Sequence, residues 1–93
     1  MLFAFEGDWL DGKRTGNGIY YHGKGEHNGD SYRGQFLNGK NHGYGTYYYT
    51  NGNRFEGEFF DGKEYQGVLY DSNNNVLVRL DNNDDDDDDE DDE

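Results

Sequence analysis

Aromatic and polar residues alternate in three short segments of the chain, and each segment has a glycine between two aromatics. The segments are FEGDW (5–9), YRGQF (32–36) and FEGEF (55–59). Successive side chains of a strand point to opposite faces, so the aromatics and the glycine of each segment share one face. The segments GIYYH (18–22) and GTYYYT (45–50) are β-branched and aromatic, which is also typical of strands.

Dipeptides that favour tight turns separate these segments. Asn38-Gly39 and Asp61-Gly62 are the strongest short signals for a hairpin turn, because Asn, Asp and Gly tolerate positive φ. Asn51-Gly52 is expected to turn the chain into the next unit. No part of residues 1–80 has the 3.6-residue apolar period of a helix. The sequence therefore predicts an all-β fold, a single elongated antiparallel sheet of consecutive β-hairpins.

The hairpins form a repeat, with units at about 5–31, 32–54 and 55–75 and a capping strand at 76–80. The repeated structural positions are Phe5, Gly7, Gly12, Gly16, Gly18, Tyr32, Gly34, Gly39, Gly43, Gly45, Phe55, Gly57 and Gly62. We expect the glycine between two aromatics to leave a gap that a ring from the neighbouring strand covers. The first unit has an insertion within residues 23–30, and the third has one glycine in KEYQGVLY where two are expected.

The spacing of aromatics, glycines and NG or DG turns resembles the MORN repeat family, whose units run roughly Y-x-G-x-[FW]-x-x-G-x-x-x-G-x-G-x-x. The resemblance covers about residues 5–67 and is closest in the middle unit, which includes NHGYG (41–45). It implies a structural or assembly role, often in homodimers, and a long-standing association with phosphoinositides. Catalytic domains that accompany such repeats in larger proteins do not fit in this chain.

Charge is concentrated at the C-terminus. The chain has 93 residues and a formal net charge of −13, and the run from Asp84 to Glu93 is entirely acidic. The sequence predicts a folded unit at 1–80 and a disordered acidic tail at 81–93. Solubility is the plainest role for the tail, and docking of a basic protein segment is the alternative. The eight Lys and Arg are dispersed, so nucleic-acid binding is not expected and binding to membrane lipid is disfavoured.

The absence of cysteine, of a signal-peptide pattern and of a long apolar run indicates a cytoplasmic protein. Association with the cytoskeleton or with a membrane is left open by these observations.

The sequence offers few candidates for chemistry. His22 and His27 are expected in an exposed loop, His42 is expected in a turn, and no zinc-ligand signature surrounds any of them. Glu56 and Glu58 are expected on a solvated face. The two serines have no activating partner, and no phosphate-binding loop is present. We therefore expect no catalytic, cofactor-binding or metal site, and no enzyme.

The aromatic residues are the remaining candidates for function. A single sheet has two faces, and nothing in the chain covers the second. The candidate partner-binding residues are Trp9, Tyr20, Tyr21, Phe36, Tyr47, Tyr48, Tyr49 and Phe59. These residues suggest a non-enzymatic scaffold that binds a protein partner of unknown identity. Open sheet edges at the N-terminus and at 76–80 suggest a homodimer. Phosphoinositide binding by the repeats, or binding of a basic protein by the tail, are the alternatives.

Overall fold

The computed structural model describes residues 4–22 and 29–82. Their strands are β1 (Ala4–Leu10), β2 (Lys13–Tyr21), β3 (Ser31–Leu37), β4 (Lys40–Tyr48), β5 (Arg54–Phe60), β6 (Lys63–Tyr70) and β7 (Val76–Leu80). Each strand pairs antiparallel with its neighbours in the chain, in the order β1 to β7, and no helix occurs within these ranges. The predicted all-β class and the single open antiparallel sheet are confirmed. The tail predicted to be disordered lies, from residue 83 onward, outside the described residues.

Three two-residue turns close the hairpins. Asn38 and Gly39 have φ values of 53° and 81°, and Asp61 and Gly62 have values of 53° and 88°. In the turn before β2, at residues 11–12, φ is also positive at both positions. Two successive residues with positive φ define the type I′ turn, whose twist matches that of the flanking strands. The turn signals in the sequence are thus confirmed.

The hairpins are joined by longer connections. In the connection between β4 and β5, the Tyr49 N–H donates to the Asn53 carbonyl (2.9 Å). In the connection between β6 and β7, the Asp71 carboxylate accepts bonds from the backbone N–H groups of Asn73 (2.8 Å) and Asn75 (2.9 Å). The bonds from Asn75 are the main reason that the pKa of Asp71 lies below its usual value.

Each return strand contains a bulge. Gly7 and Asp8 are adjacent in β1, but their partners in β2 are Gly18 and Thr15, so Gly16 and Asn17 have no partner in β1. Gly16 has φ 62°. In β4 the corresponding Gly43 has φ 92°. In β6 the residue left out of register is Tyr65, whose backbone is not left-handed. The bulge of the third unit does not require positive φ, and this explains why the unit has one glycine fewer than the other two.

A row of glycines crosses six strands, because Gly7, Gly18, Gly34, Gly45, Gly57 and Gly67 are paired in register. Rings lie against this row. A Cβ at Gly7 would come within 2.7 Å of Phe5 Cζ, and one at Gly34 within 2.8 Å of Tyr32 Oη. The expectation that a neighbouring strand supplies the ring was wrong for Gly7 and Gly34. The ring comes from the same strand, two residues earlier, and it also covers the paired glycine of the next strand.

The core consists of the rings on this face. Tyr32, Phe36, Phe55 and Phe59 are buried, with exposed fractions of 0–4%. Edge-to-face contacts at 4.9–5.5 Å connect the rings in the order Trp9, Phe5, Phe36, Tyr32, Phe59, Phe55. Each such pair contributes about 0.5–1.5 kcal/mol beyond area burial. We call the side that bears these residues the ring face, and the opposite side the outer face.

Candidate functional site

A groove of about 670 Å³ lies on the ring face, bounded by residues from β2, β4, β5, β6 and the adjoining turns. We call it the central groove. It is lined by Arg14, Tyr20, His22, Gly39, Lys40, Asn41, Tyr47, Tyr49, Phe59, Gly62, Lys63 and Glu64. The lining is therefore aromatic in part and charged in part.

Four aromatic side chains form one wall of the central groove. Ring centroids are 4.8 Å apart for Tyr20 and His22, 5.8 Å for His22 and Tyr47, and 4.8 Å for Tyr47 and Tyr49. Tyr20 and Tyr47 are the register partners of the core residue Tyr32 on its two sides. Register pairing therefore places both tyrosines on the ring face, beside the core.

Carboxylates accept hydrogen bonds from the hydroxyls of Tyr47, in β4, and Tyr49, in the connection from β4 to β5. Tyr47 Oη donates to Asp30 Oδ2 (3.0 Å), and Tyr49 Oη donates to Glu64 Oε2 (3.0 Å). Asp30 is buried, and its Oδ1 accepts the Thr50 N–H (3.0 Å). Burial, and then these hydrogen bonds, raise the pKa of Tyr49 to about 12 and raise the pKa of Tyr47 as well. Both phenols are therefore neutral at physiological pH.

The hairpin turns bring cations to the other side of the central groove. The Arg14 guanidinium lies 4.3 Å from the centroid of the Tyr20 ring and donates to the Gly39 carbonyl. Lys40 pairs with Asp61 at 3.4 Å, and both side chains are exposed. Since Gly39 and Gly62 donate to carbonyls of the preceding hairpin, the turns stack and their cations lie side by side.

Two smaller cavities extend the central groove. One of about 430 Å³ lies toward β1 and is lined by Phe5, Trp9, Gly12, Lys13, Arg14, Tyr20 and Gly39. The other, of about 170 Å³, lies toward β7 and is lined by Tyr49, Phe55, Glu64, Leu69, Val78 and Leu80. We call them the β1-end cavity and the β7-end pocket. Both share residues with the central groove, so the three lie in a row across the ring face from β1 to β7, and we call this row the depression.

The structure divides the eight aromatic residues proposed from the sequence. Tyr20, Tyr47 and Tyr49 line the central groove, and Trp9, with an exposed fraction of 59%, lines the β1-end cavity. Phe59 also lines the central groove, although it is buried.

The other three residues lie elsewhere. Phe36 is buried in the core with an exposed fraction of 4%. Tyr21 and Tyr48 lie on the outer face, exposed to 42% and 40%. Adjacent tyrosines of one strand thus point in opposite directions, and the predicted residues do not form one surface.

Sequence reasoning missed Arg14, Asp30 and Glu64. Arg14 is one of eight dispersed Lys and Arg residues, and Asp30 is the last residue of the insertion at 23–30. The one available signal was position: Asp30 precedes the opening motif of unit two by two residues. Its role depends on a contact with Tyr47, 17 residues away, which no local pattern indicates.

The histidines lie in different surroundings. His22, expected to be exposed, is half-buried between Tyr20 and Tyr47. His42 Nδ1 accepts the Asp61 N–H (3.2 Å), and its ring lies 5.0 Å from that of Phe60. His27 is outside the described residues. Over residues 4–22 and 29–82, no three His, Asp or Glu side chains are grouped as metal ligands, and no helix could cross a membrane.

The fold and its row of rings and glycines define a repeat protein of stacked hairpins. The family description "MORN repeat" matches residues 5–27, 32–54 and 55–76, which together are more than half of the chain. The chain belongs to the MORN repeat family, and the expected number of repeats is confirmed. No curated protein matches the chain.

Proposed function

We propose that this protein is a non-enzymatic scaffold that holds a segment of a partner protein on its ring face. The observation that supports this is the depression, the row of three adjoining cavities from β1 to β7, which no part of the described chain covers. Seven strands set ~4.8 Å apart give the depression a length of roughly 29 Å. That length suits a peptide segment better than a small metabolite.

The composition of the depression also suits a protein partner. Tyrosine offers a large, rigid and amphipathic contact surface, and aromatic and Arg residues are enriched where protein interfaces have their strongest contacts. Tyr47 and Tyr49 are already held by Asp30 and Glu64. Their side chains therefore lose little freedom when a partner binds, which lowers the entropic cost of association.

Adjacent tyrosines provide a matched test of this proposal. In one full-length variant Tyr20 and Tyr49 become Ser, and in the control Tyr21 and Tyr48 become Ser. Each bait is used for pull-downs washed at high salt, with circular dichroism as the check on folding. We expect the ring-face variant to lose partners that the outer-face variant retains. Equal retention by two folded variants, or loss by the outer-face variant alone, would contradict the proposal.

Phosphoinositide binding is a second candidate because the hairpin turns collect Arg14, Lys40 and Lys63 at one side of the central groove. It ranks below protein binding, since Arg14 is bonded to Gly39 and Lys40 is paired with Asp61. Sedimentation with phosphatidylcholine vesicles, with and without phosphatidylinositol bisphosphate, tests it. Binding that requires the phosphoinositide and is weakened by Lys40→Gln with Lys63→Gln would favour this candidate.

Self-association through the sheet edges is also proposed. β1 and β7 each pair on one side only within the described residues. An unpaired edge can add a strand from another chain. Sedimentation velocity over a range of concentrations measures the dimer, and a monomer throughout would contradict this part. The cytoplasmic location, with cytoskeletal or membrane association left open, stays a prediction.

A further inference from the structure

Arg14 lies at the border between the β1-end cavity and the central groove, because its side chain lines both. It is half-buried among aromatic rings. The guanidinium carbon is 4.3 Å from the centroid of the Tyr20 ring, 5.7 Å from that of Phe36 and 6.0 Å from that of Phe5. These distances allow cation–π attraction, so the rings fix the position of the cation on the ring face.

The Arg14 guanidinium has no anionic partner in the described part of the chain. One of its N–H groups donates to the Gly39 carbonyl, and no carboxylate of residues 4–22 and 29–82 pairs with it. Partial removal of a charge from water has a cost in free energy, and an opposite charge from another molecule would offset that cost. The other N–H groups of Arg14 are therefore available to an anion.

The β1-end cavity beside Arg14 is large enough for a side chain with an aromatic ring. Its volume of about 430 Å³ lies within the roughly 300–1,000 Å³ of pockets that hold small ligands. Phe5, Tyr20 and the exposed Trp9 line it, and no carboxylate of the described residues does. An aromatic ring with a negative charge beside it would therefore match both the walls of the cavity and the cation at its border.

The surroundings of Arg14 favour a carboxylate of a peptide over the headgroups of a membrane. The guanidinium is recessed among rings, where a side chain that extends from a peptide can enter and a flat lipid surface cannot. The chain has a formal net charge of −13, which opposes the approach of an anionic membrane more than that of a single carboxylate. Because Arg14 lies between two cavities and not at the end of the depression, a matching acid is a side chain within a segment and not a C-terminus.

We propose that Arg14 binds the carboxylate of an Asp or Glu in the partner segment, and that the β1-end cavity receives an aromatic side chain next to that acid. This inference rests on the proposed function, because it names the chemistry of the segment that the ring face holds. The planar guanidinium donates parallel hydrogen bonds to the carboxylate. The partner's ring packs against Trp9 and Phe5, which line the cavity.

The test begins with a selection of random dodecapeptides displayed on phage against the full chain. We expect the enriched peptides to have Asp or Glu beside an aromatic residue. Trp9 is the one tryptophan of the chain and lines the β1-end cavity, so its fluorescence reports occupancy by a peptide that contains Phe or Tyr but no Trp. Titration with such a peptide should shift the Trp9 emission to shorter wavelength, and the titration curve gives the affinity.

Paired changes in protein and peptide then locate the acid. Arg14→Gln in the protein, or an amide in place of the acid in the peptide, should each weaken binding by about tenfold. Since both changes remove the same contact, the amide should cause little further loss when Arg14 is already Gln, a result that a purely structural role of Arg14 would not give. The matched control is Arg33→Gln, which changes the net charge equally but lies exposed on the outer face of β3, and it should leave the affinity unchanged. Circular dichroism checks the folding of each variant.

The possible failures are distinguishable. Peptides without an acid that depend on Tyr20 and Tyr49 would retain the proposed function and overturn this inference. Losses that add when the two changes are combined would show that the acid binds elsewhere, and would overturn the role of Arg14. The absence of any selected peptide would count against both the scaffold and its acidic partner. Sedimentation with phosphoinositide vesicles that Arg14→Gln weakens would then assign the cation to a lipid.

Discussion

The two faces of the sheet are built from the same strands but have different roles. On the ring face, Tyr32, Phe36, Phe55 and Phe59 are buried although no second layer of the described chain covers them. On the outer face, equally large residues such as Tyr44 and Phe60 are exposed to 66% and 60%. The difference arises from the glycine row, which has no side chains and lets rings lie directly on the backbone of the ring face.

This comparison shows how a single sheet can bury a core. Rings on the ring face cover glycines and contact one another edge to face, so their burial depends on neighbours in the same layer. On the outer face, Glu56 pairs with Arg54, and Glu58 accepts a bond from Gln66 Nε2 (3.0 Å). Stability should therefore depend mainly on the ring face, and substitutions there should have the largest effects.

The sharpest test of the difference between the faces replaces one tyrosine on each face with alanine. Tyr32→Ala removes the fully buried ring that covers Gly34 and Gly45, and we expect a loss of about 3–5 kcal/mol in the free energy of unfolding. Tyr48→Ala, on the adjacent strand but the outer face, should cost less than about 1 kcal/mol. Urea denaturation followed by circular dichroism measures both. Comparable losses would show that the two faces contribute equally.

A smaller effect is expected from adding a methyl group to the glycine row. A Cβ at Gly45 would collide with the Tyr32 ring, so Gly45→Ala should cost about 1–3 kcal/mol or more. Gly12→Ala is the control: it has open space but φ 79°, which costs about 1–2 kcal/mol for an L-residue.

Thermal and urea unfolding of the two variants separate crowding from backbone strain. Tyr32→Phe combined with Gly45→Ala sharpens the comparison, since removal of the hydroxyl relieves part of the collision. A Gly45→Ala protein as stable as the wild type would rule out close contact between the rings and the glycine row.

The smallest expected effect is a loss of stability at alkaline pH. Burial raises the pKa of Tyr32 to about 12, whereas an unfolded tyrosine ionises near pH 10. The stability from the neutral phenol is complete below about pH 10 and is lost as the pH rises toward 12. We expect the urea midpoint to fall over this range, and tyrosinate absorbance to show a late-titrating group.

Tyr49, with its pKa also raised to about 12, should titrate in the same late group. Tyrosine in the urea-unfolded chain, which ionises near pH 10, serves as the reference. Tyr32→Phe and Tyr49→Phe should each reduce the late absorbance step. A single transition near pH 10 for all tyrosines would contradict the burial of these phenols.

Much of the fold could be predicted from local pattern. Asn38-Gly39 and Asp61-Gly62 located the turns, and the alternation in YRGQF located a strand and its buried face. The separation of Tyr47 from Tyr48 also follows from alternation. These features depend on residues close in sequence, so one sequence contains the information.

The positions of the charged residues of the site and of the bulges depend on the register between strands, which local pattern does not determine. The bulge in β2 places Arg14 opposite Trp9 and beside Tyr20, and the bulge in β6 leaves out Tyr65 rather than a glycine. The bonds of Asp30 to Tyr47 and of Glu64 to Tyr49 join segments 15 or more residues apart. The candidate site is made from these contacts. The sequence predicted Tyr20, Tyr47 and Tyr49 in its lining, but neither His22 nor the charged residues.

The strictly sequential order of the seven strands has a consequence for folding. Since each hairpin contacts only the hairpin before it and the one after it, the molecule is close to a one-dimensional array whose stability is the sum of unit terms and nearest-neighbour interfaces. Such an array nucleates at any hairpin and grows by adding the next one. Unfolding accordingly starts at β1 or β7 and moves inward, and β3 to β5 are the last strands to lose their hydrogen bonds.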